Sequence, residues 1–226
     1  MTREELIKKV ALKMDEISSS DDVIVPVNAS DNNPLYTQIN NLLNEAVNDV
    51  LMKAPIYRLQ SQVVSLEMSH KVEDETVLDY KIENIFSNTR KKVVIPVSDE
   101  FLRLVSISDD KFQRPVVDLA FEGDEIDKKQ HNRFLVAKNA KPVAVIGNTA
   151  NGREISLYSY HPSDIPNPSV LYIKRYNNEQ DTTADTDLDD YLIDVVSWAC
   201  AGKVFAAQGD INKGKICDEN AAAIMI

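Results

Sequence analysis

The feature that most constrains this chain is a change of period. At both ends the apolar residues recur every three or four positions, whereas between residues 62 and 176 they come in short runs. The runs are Gln62–Met68, Val77–Phe86, Lys92–Val97, Phe101–Ile107, Pro115–Phe121, Arg133–Ala137, Pro142–Gly147, Arg153–Tyr160 and Ser169–Tyr176. They are rich in Val, Ile, Tyr and Phe, and polar breaks separate most of them, the pattern of half-buried strands. Leu78-Asp79-Tyr80-Lys81-Ile82 alternates as a strand with one wet face should. Asn151-Gly152 marks a hairpin, with neighbours that suggest a loop longer than two residues. Eight or nine strands with no helix between them predict an antiparallel sandwich or small barrel.

The ends are helical. Thr2 and Glu5 form a capping box ahead of Leu6, Ile7, Val10, Met14 and Ile17, and this helix should stop in the Ser18–Asp22 cluster. A loop follows, with an extended piece at Val23–Val27. Asn33 then caps a helix with Pro34 at its first position, a stripe of Leu35, Ile39, Leu42, Leu43, Ala46, Val47, Val50 and Leu51, and a stop at Pro55. The last forty residues predict a helical hairpin broken at Gly209-Asp210, with Asp187 as N-cap and Asp189 and Asp190 in the first turn. Its first helix should present Leu188, Leu192, Val195, Ala199 and Ala206 on one face, with Tyr191, Val196, Trp198 and Phe205 beside it. The N-terminal helices need an apolar partner, and this hairpin is the other helical region that can supply one. The expected fold is therefore α+β: a discontinuous helical domain (1–57 with 184–226) into which a β-rich sandwich or barrel-like domain with an exit linker (58–183) is inserted.

Catalytic patterns fail on inspection. Gly209-x-x-x-x-Gly214-Lys215 has P-loop spacing, but Ile216 stands where a hydroxyl must reach magnesium, and a helix precedes it instead of a strand. The acidic run Asp181, Asp185, Asp187, Asp189, Asp190 does not fit a calcium loop: from Asp185, the sixth position is Asp190 and the twelfth Val196. It reads as a solvated, capping linker. His70, His131 and His161 are scattered, two cysteines (Cys200, Cys217) make neither a disulfide framework nor a zinc site, and Asp109-Asp110 reads as a solvated pair. Tyr158, Tyr160, Tyr172 and Tyr176 could stack on single-stranded nucleic acid, but a net charge of −11 disfavours a basic groove, and strand packing accounts for them better. Arg90-Lys91-Lys92 reads as a short basic turn. The sequence thus points to a chain without enzymatic activity, metal or cofactor. It has no secretion signal at its charged start and no apolar run of membrane-spanning length, which suggests an intracellular origin.

Several stretches in order resemble one family. KVVIPVSDEFLRL (Lys92–Leu104) is followed by FQRPV (Phe112–Val116), KPVAVI (Lys141–Ile146), REISLYSY (Arg153–Tyr160) and LYIKRY (Leu171–Tyr176). The opening helices with Asn44-Glu45-Ala46 and the closing YLIDVVSWACAGKVFAAQGD (Tyr191–Asp210) complete the pattern. Together they are similar to tailed-bacteriophage head-to-tail connector (neck ring or adaptor) proteins of the crAss-like phage type. The resemblance implies a structural virion protein at the head–tail junction, assembled in the host cytoplasm. It implies a homo-oligomeric ring of about twelve copies, with the portal protein and adjacent neck or tail rings as partners. DNA would pass through the lumen without sequence-specific contact, and no membrane is involved. Ala221, Ala222, Ala223, Ile224, Met225 and Ile226, the apolar end of the chain, are then the candidate docking residues for the portal or the next subunit. A β-sandwich binding module, such as a tail-fibre or receptor- or carbohydrate-binding accessory, is the alternative reading. It requires exposed aromatic residues on the sheet or its loops.

Overall fold

The computed structural model describes residues 1–17, 34–66, 80–150, 152–177 and 185–226. The expected loop with its extended piece at Val23–Val27, the cap at Asn33, the ends of the runs at Glu67–Met68 and Val77–Asp79, and the residues His70, Asn151 and Asp181 lie outside them. The described chain is α+β and divides into two compact units, Met1–Gln62 with Tyr176–Ile226, and Val63–Arg175.

The described residues of the first unit are mainly helical. It contains α1 (Arg3–Ile17), α2 (Pro34–Lys53), α4 (Asp190–Ala207) and α5 (Ile211–Met225). The capping box forms: the Thr2 N–H donates to Glu5 Oε2 (2.8 Å) and the Glu5 N–H to Thr2 Oγ1 (3.3 Å). The buried face of α1 is Leu6, Ile7, Val10, Ala11 and Met14, and that of α2 is Ile39, Leu43, Ala46, Val47, Val50 and Leu51. Each such side chain, fully buried, contributes about 1.5–3 kcal/mol. Both helices pack on α4, which also pairs with α5.

Two expectations for α4 are corrected. Leu192, Ile193, Val195, Val196, Ser197, Trp198, Cys200, Ala201, Gly202, Val204 and Phe205 are all buried, while Ala206 is exposed. A helix covered on three sides by α1, α2 and α5 has no wet stripe, so no single apolar face exists. Asp187 is not the cap either. It sits at φ 52°, and the cap residue is Asp189, whose side chain accepts a hydrogen bond from Ser61 Oγ instead of a helix N–H. The stop at Gly209 is a left-handed residue (φ 88°), where glycine avoids the Cβ penalty, and Asp210 Oδ1 caps α5 by accepting from the Lys213 N–H (3.1 Å).

The second unit holds two sheets. β1 (Val63–Leu66), β8 (Ser169–Lys174) and β4 (Phe101–Ser108) form an antiparallel sheet in the order β1-β8-β4. β2 (Lys81–Ile85), β3 (Arg90–Val97), β7 (Gly152–Tyr160), β6 (Val143–Thr149) and β5 (Leu119–Phe121) form the other, in the order β2-β3-β7-β6-β5. Here β5 pairs parallel with β6 (Leu119↔Ala144 to Phe121↔Ile146), which corrects the all-antiparallel expectation. Neither sheet closes into a barrel among the described residues.

A short helix, α3 (Glu125–Gln130), follows β5, and residues 131–137 make turns where a strand was expected. The reach from β5 to β6 explains both differences. A parallel partner must be reached by a crossover, and α3 with the turns after it is that crossover. β2 has exposed residues on both faces, unlike the one-wet-face strand expected, because it lies at a sheet edge. Arg90, Lys91 and Lys92 open β3 and are no turn cluster. The β6–β7 register, Thr149↔Gly152, leaves two residues between the paired ends, fewer than expected.

Alternation along the central strands divides the apolar side chains between two clusters. Ile155 and Leu157 of β7 with Ala144 and Ile146 of β6 join Val93, Ile95, Phe101, Leu104, Ile107, Tyr160, Val170 and Tyr172, so both sheets contribute to one core. Tyr158 and Val145, one residue out of phase, join Ala120, Val136 and Ala137 on the opposite face of the five-stranded sheet.

Candidate functional site

In the helical unit the candidate docking residues are the last turns of α5. Ala221 is buried, Ala222 and Ala223 are exposed, Ile224 and Met225 are half-buried, and Ile226 is 92% exposed. Ala221 belongs to a close helix crossing. A Cβ placed on Gly202 of α4 would lie 2.8 Å from Asp218 Oδ1, 3.2 Å from Gly214 O and 3.3 Å from Cys217 Cβ. Small residues on both helices therefore set the interaxial distance, and Ala221 cannot reach a partner without opening the hairpin.

The other five residues sit at a helix end whose last carbonyls would otherwise lack partners. Tyr191 Oη donates to Met225 O (3.3 Å) and Tyr57 Oη to Ile226 O (3.5 Å). The Arg58 guanidinium lies over both rings, 4.9 Å from the Tyr191 centroid and 5.5 Å from that of Tyr57. Helical spacing puts Ile216, Glu219, Ala223 and Ile226 on one outward stripe of α5, all exposed, with Asp218 and Ala222 beside it.

In the β unit the exposed apolar residues are concentrated around α3. Phe121 is 65% exposed and Phe134 88%, and Val117, Ile126 and Leu135 are also exposed. The turn that carries Phe134 is tied down. The Phe134 N–H donates to Asn132 Oδ1 (2.9 Å), the Val136 N–H to Asn132 O (2.9 Å) and the Ala137 N–H to Gln130 Oε1 (2.9 Å). Val136 and Ala137 point into the smaller apolar cluster, so Phe134 and Leu135 are held outward. A groove of about 380 Å³ runs past Arg114, Val117, Leu119, Ile126, Lys141 and Val143. Sequence reading missed this surface because a strand at 133–137 would have turned alternate residues inward. Its one legible signal was charge: residues 128–153 contain Lys128, Lys129, Arg133, Lys138, Lys141 and Arg153 and no carboxylate, in a chain of net −11.

The remaining polar features offer little chemistry. A small concavity on the five-stranded sheet gathers Lys92, Asp127, His131, Glu154 and Tyr158. Asp127 there accepts from the Gly123 N–H (2.8 Å) and lies 3.3 Å from His131 Nε2, a tie that braces α3. His161 Nδ1 is 2.8 Å from Ser163 Oγ in a separate turn. No three His, Cys, Asp or Glu side chains come together as a metal-holding group among the described residues. Burial pushes the Cys200 thiol up to about 12 and that of Cys217 up to about 11, so neither supplies a thiolate near neutral pH. Tyr158, Tyr160 and Tyr172 are buried and cannot serve as a stacking platform. Asp109 corrects the solvated-pair reading: it accepts from the Asn167 N–H (2.7 Å), the Tyr160 hydroxyl (2.9 Å) and the Lys111 N–H (2.9 Å). Burial raises its carboxyl above the usual range, a hydrogen bond with Asp110 adds to the rise, and the N–H donors pull the other way.

No helix among the described residues is long and apolar enough to cross a membrane. No family model matches the chain, and no curated protein matches it in sequence.

Proposed function

We propose that this chain is a structural subunit of a tailed-phage neck, a ring-forming connector between portal and tail through which DNA passes, with no catalytic role of its own. The observation that carries this reading is the outward stripe Ile216-Glu219-Ala223-Ile226 on a helix whose end is hydrogen-bonded by Tyr57 and Tyr191. An ordered helix face with exposed Ile216, Ala223 and Ile226 suits docking on a neighbour in a permanent assembly. In this reading a helical domain built from both chain ends carries an inserted β-sandwich. The two-segment helical unit and the core shared by both sheets support that arrangement. The acidic balance of −11 suits a conduit, since a basic lumen would hold the DNA it must release. Electron microscopy of the purified chain mixed with portal rings tests it. Stacked rings on the portal are expected; a chain that neither rings nor binds portal refutes it.

A second reading, a binding module, is favoured by the exposed Phe121 and Phe134. It predicts a small closed oligomer and saturable binding to a cell-surface glycan or protein, lost in Phe134→Ala.

A further inference from the structure

Residues 128–153 are the longest stretch without a carboxylate in a chain of net −11. Near its start the chain makes a fixed projection. Asn132, Arg133, Phe134 and Leu135 form a turn closed by the Leu135 N–H donating to Asn132 O (3.0 Å), and the Phe134 N–H donates to Asn132 Oδ1 (2.9 Å). Beyond it Val136 and Ala137 enter the smaller apolar cluster, and the Ala137 N–H donates to Gln130 Oε1 (2.9 Å). Phe134 (88% exposed) and Leu135 (58%) are thus held outward by tied backbone. Two large apolar neighbours kept in water at a turn mark a contact surface.

Cations flank this tip on both sides in sequence. Lys128, Arg133, Lys138 and Lys141 are all exposed and lie within seven residues of Phe134. Lys138 and Lys141 face each other across a second turn, with the Lys141 N–H on Lys138 O (2.8 Å), so two like charges sit side by side. None of the four meets a carboxylate among the described residues; Lys129 is taken by Glu125 (2.7 Å). Of the acids around α3, Asp127 is buried against the Gly123 N–H and His131, and Asp124 Oδ2 accepts from the Phe121 N–H (3.0 Å). Asp118 and Glu122 are exposed on the β5 side of α3 and temper the local field. The four cations therefore act as a rim to an apolar tip and not as an electrostatic site by themselves.

We infer that this turn docks the chain on an anionic lipid surface, with Phe134 and Leu135 entering the boundary between headgroups and acyl chains and the cations meeting the headgroups. Charge complementarity calls for an anion, and the side-chain types choose among anions. Single-stranded nucleic acid is gripped on successive aromatic rings, but here an aliphatic residue follows Phe134, and Tyr158, Tyr160 and Tyr172 are buried. Duplex DNA would satisfy the cations and leave Phe134 and Leu135 wet. Protein interfaces are depleted in lysine, and three of the four unpaired cations are lysines, mobile point charges on flexible stems. A fluid headgroup layer accepts such charges at any position while their stems lie along the apolar tip. An apolar insertion with a basic rim supplies the two signals that lipid docking combines. Docking of this kind needs no spanning helix, no ring on a portal, and no glycan or protein receptor.

Cosedimentation of the full chain with vesicles tests it, at about 150 mM and about 500 mM salt, where fields reach roughly 8 Å and less than half that. Vesicles with about 30% phosphatidylserine should bind the chain about tenfold or more better than pure phosphatidylcholine, and less well at the higher salt. Phe134→Ser should lower this binding about fivefold or more, and so should Lys138→Glu with Lys141→Glu. These side chains are exposed, so circular dichroism should be unchanged. Ile165→Ser, at an apolar residue 69% exposed elsewhere in the β unit, should leave binding as it was. In Phe134→Trp, brominated acyl chains should quench the added emission, against the baseline set by Trp198 buried in α4.

Failure to bind the anionic vesicles at the lower salt overturns the inference. So does binding that Phe134→Ser leaves intact, or an equal loss in Ile165→Ser. Binding without quenching in Phe134→Trp would be adsorption of charge alone and also refutes insertion. Oligo(dT) bound in place of vesicles, with the same loss in Phe134→Ser, would assign the surface to single-stranded nucleic acid instead. Vesicle binding by a chain that never rings on portal would remove the connector reading and leave this docking surface standing.

Discussion

Arg3 is only 1% exposed, yet it meets no carboxylate among the described residues. Its guanidinium donates instead to neutral acceptors on α2: Nε to Asn40 Oδ1 (2.8 Å), Nη1 to Asn44 Oδ1 (2.7 Å) and Nη2 to Asn40 O (2.9 Å). A cation in the first turn of α1 is at the wrong end of that helix dipole, so the planar fork of donors must hold it. Arg3→Ala removes two buried methylenes, Cγ and Cδ, worth roughly 0.8 kcal/mol each. It also strands two amide oxygens, at about 1–3 kcal/mol apiece. Relief of the buried charge and of side-chain order returns roughly 2 kcal/mol or more. The net expectation is a loss of about 2–4 kcal/mol. Arg3→Met keeps most of the stem and should lose about half as much, mainly from the stranded oxygens. Trp198, the chain's single tryptophan, is buried in α4 and makes urea unfolding of the helical unit visible by fluorescence. A loss below about 0.5 kcal/mol for Arg3→Ala would show that the fork does not hold α1 to α2. A Met variant as damaged as the Ala variant would show that the stem contributes nothing.

Three further predictions concern other parts of the chain. Gly202→Val should destabilise the helical unit by about 1–3 kcal/mol through overpacking of the α4–α5 crossing, despite glycine's poor helix propensity; unchanged urea stability would mean that the helices separate freely. Native Cys200 and Cys217 should react with an aromatic disulfide reagent far more slowly than after unfolding, since both are buried with raised pKa values; immediate reaction of either thiol in the native chain contradicts this. Asp109, raised by burial, contributes stability that is fully present below its unfolded pKa (3.8) and is lost as pH rises through the higher folded value. Compared with Asp109→Asn, both in an Asp110→Asn background, the chain should therefore lose urea stability as pH rises from about 3.5; a difference that is flat or grows with pH refutes the assignment.

The helical ends were legible because their signals are local. A Thr-x-x-Glu box, a proline at a first helical position and Gly-Asp at a hairpin corner act within one turn, and Thr2, Pro34 and Gly209 occupy those places in the structure. The period-two runs were equally local, and β3, β4, β6, β7 and β8 lie where their apolar residues alternate. For the candidate site, only the apolar character of Ala221–Ile226 could be read in advance. Which of these residues face outward depended on the Gly202–Gly214 crossing, a contact between helices.

The sequence by itself determined where helices and most strands form, since capping, turn chemistry and side-chain period require only near neighbours. Tertiary structure decided the rest. It surrounded α4 on three sides and so erased a stripe that periodicity alone would draw. The parallel pairing of β5 with β6 turned residues 125–137 into a crossover and left Phe134 in solvent. Folding also half-buried Asp109 against the Asn167 backbone and the Tyr160 hydroxyl, although nothing within its own stretch distinguishes it from Asp110. In each case burial and pairing depend on residues tens of positions away, whose apolar area and hydrogen bonds outweigh local preference.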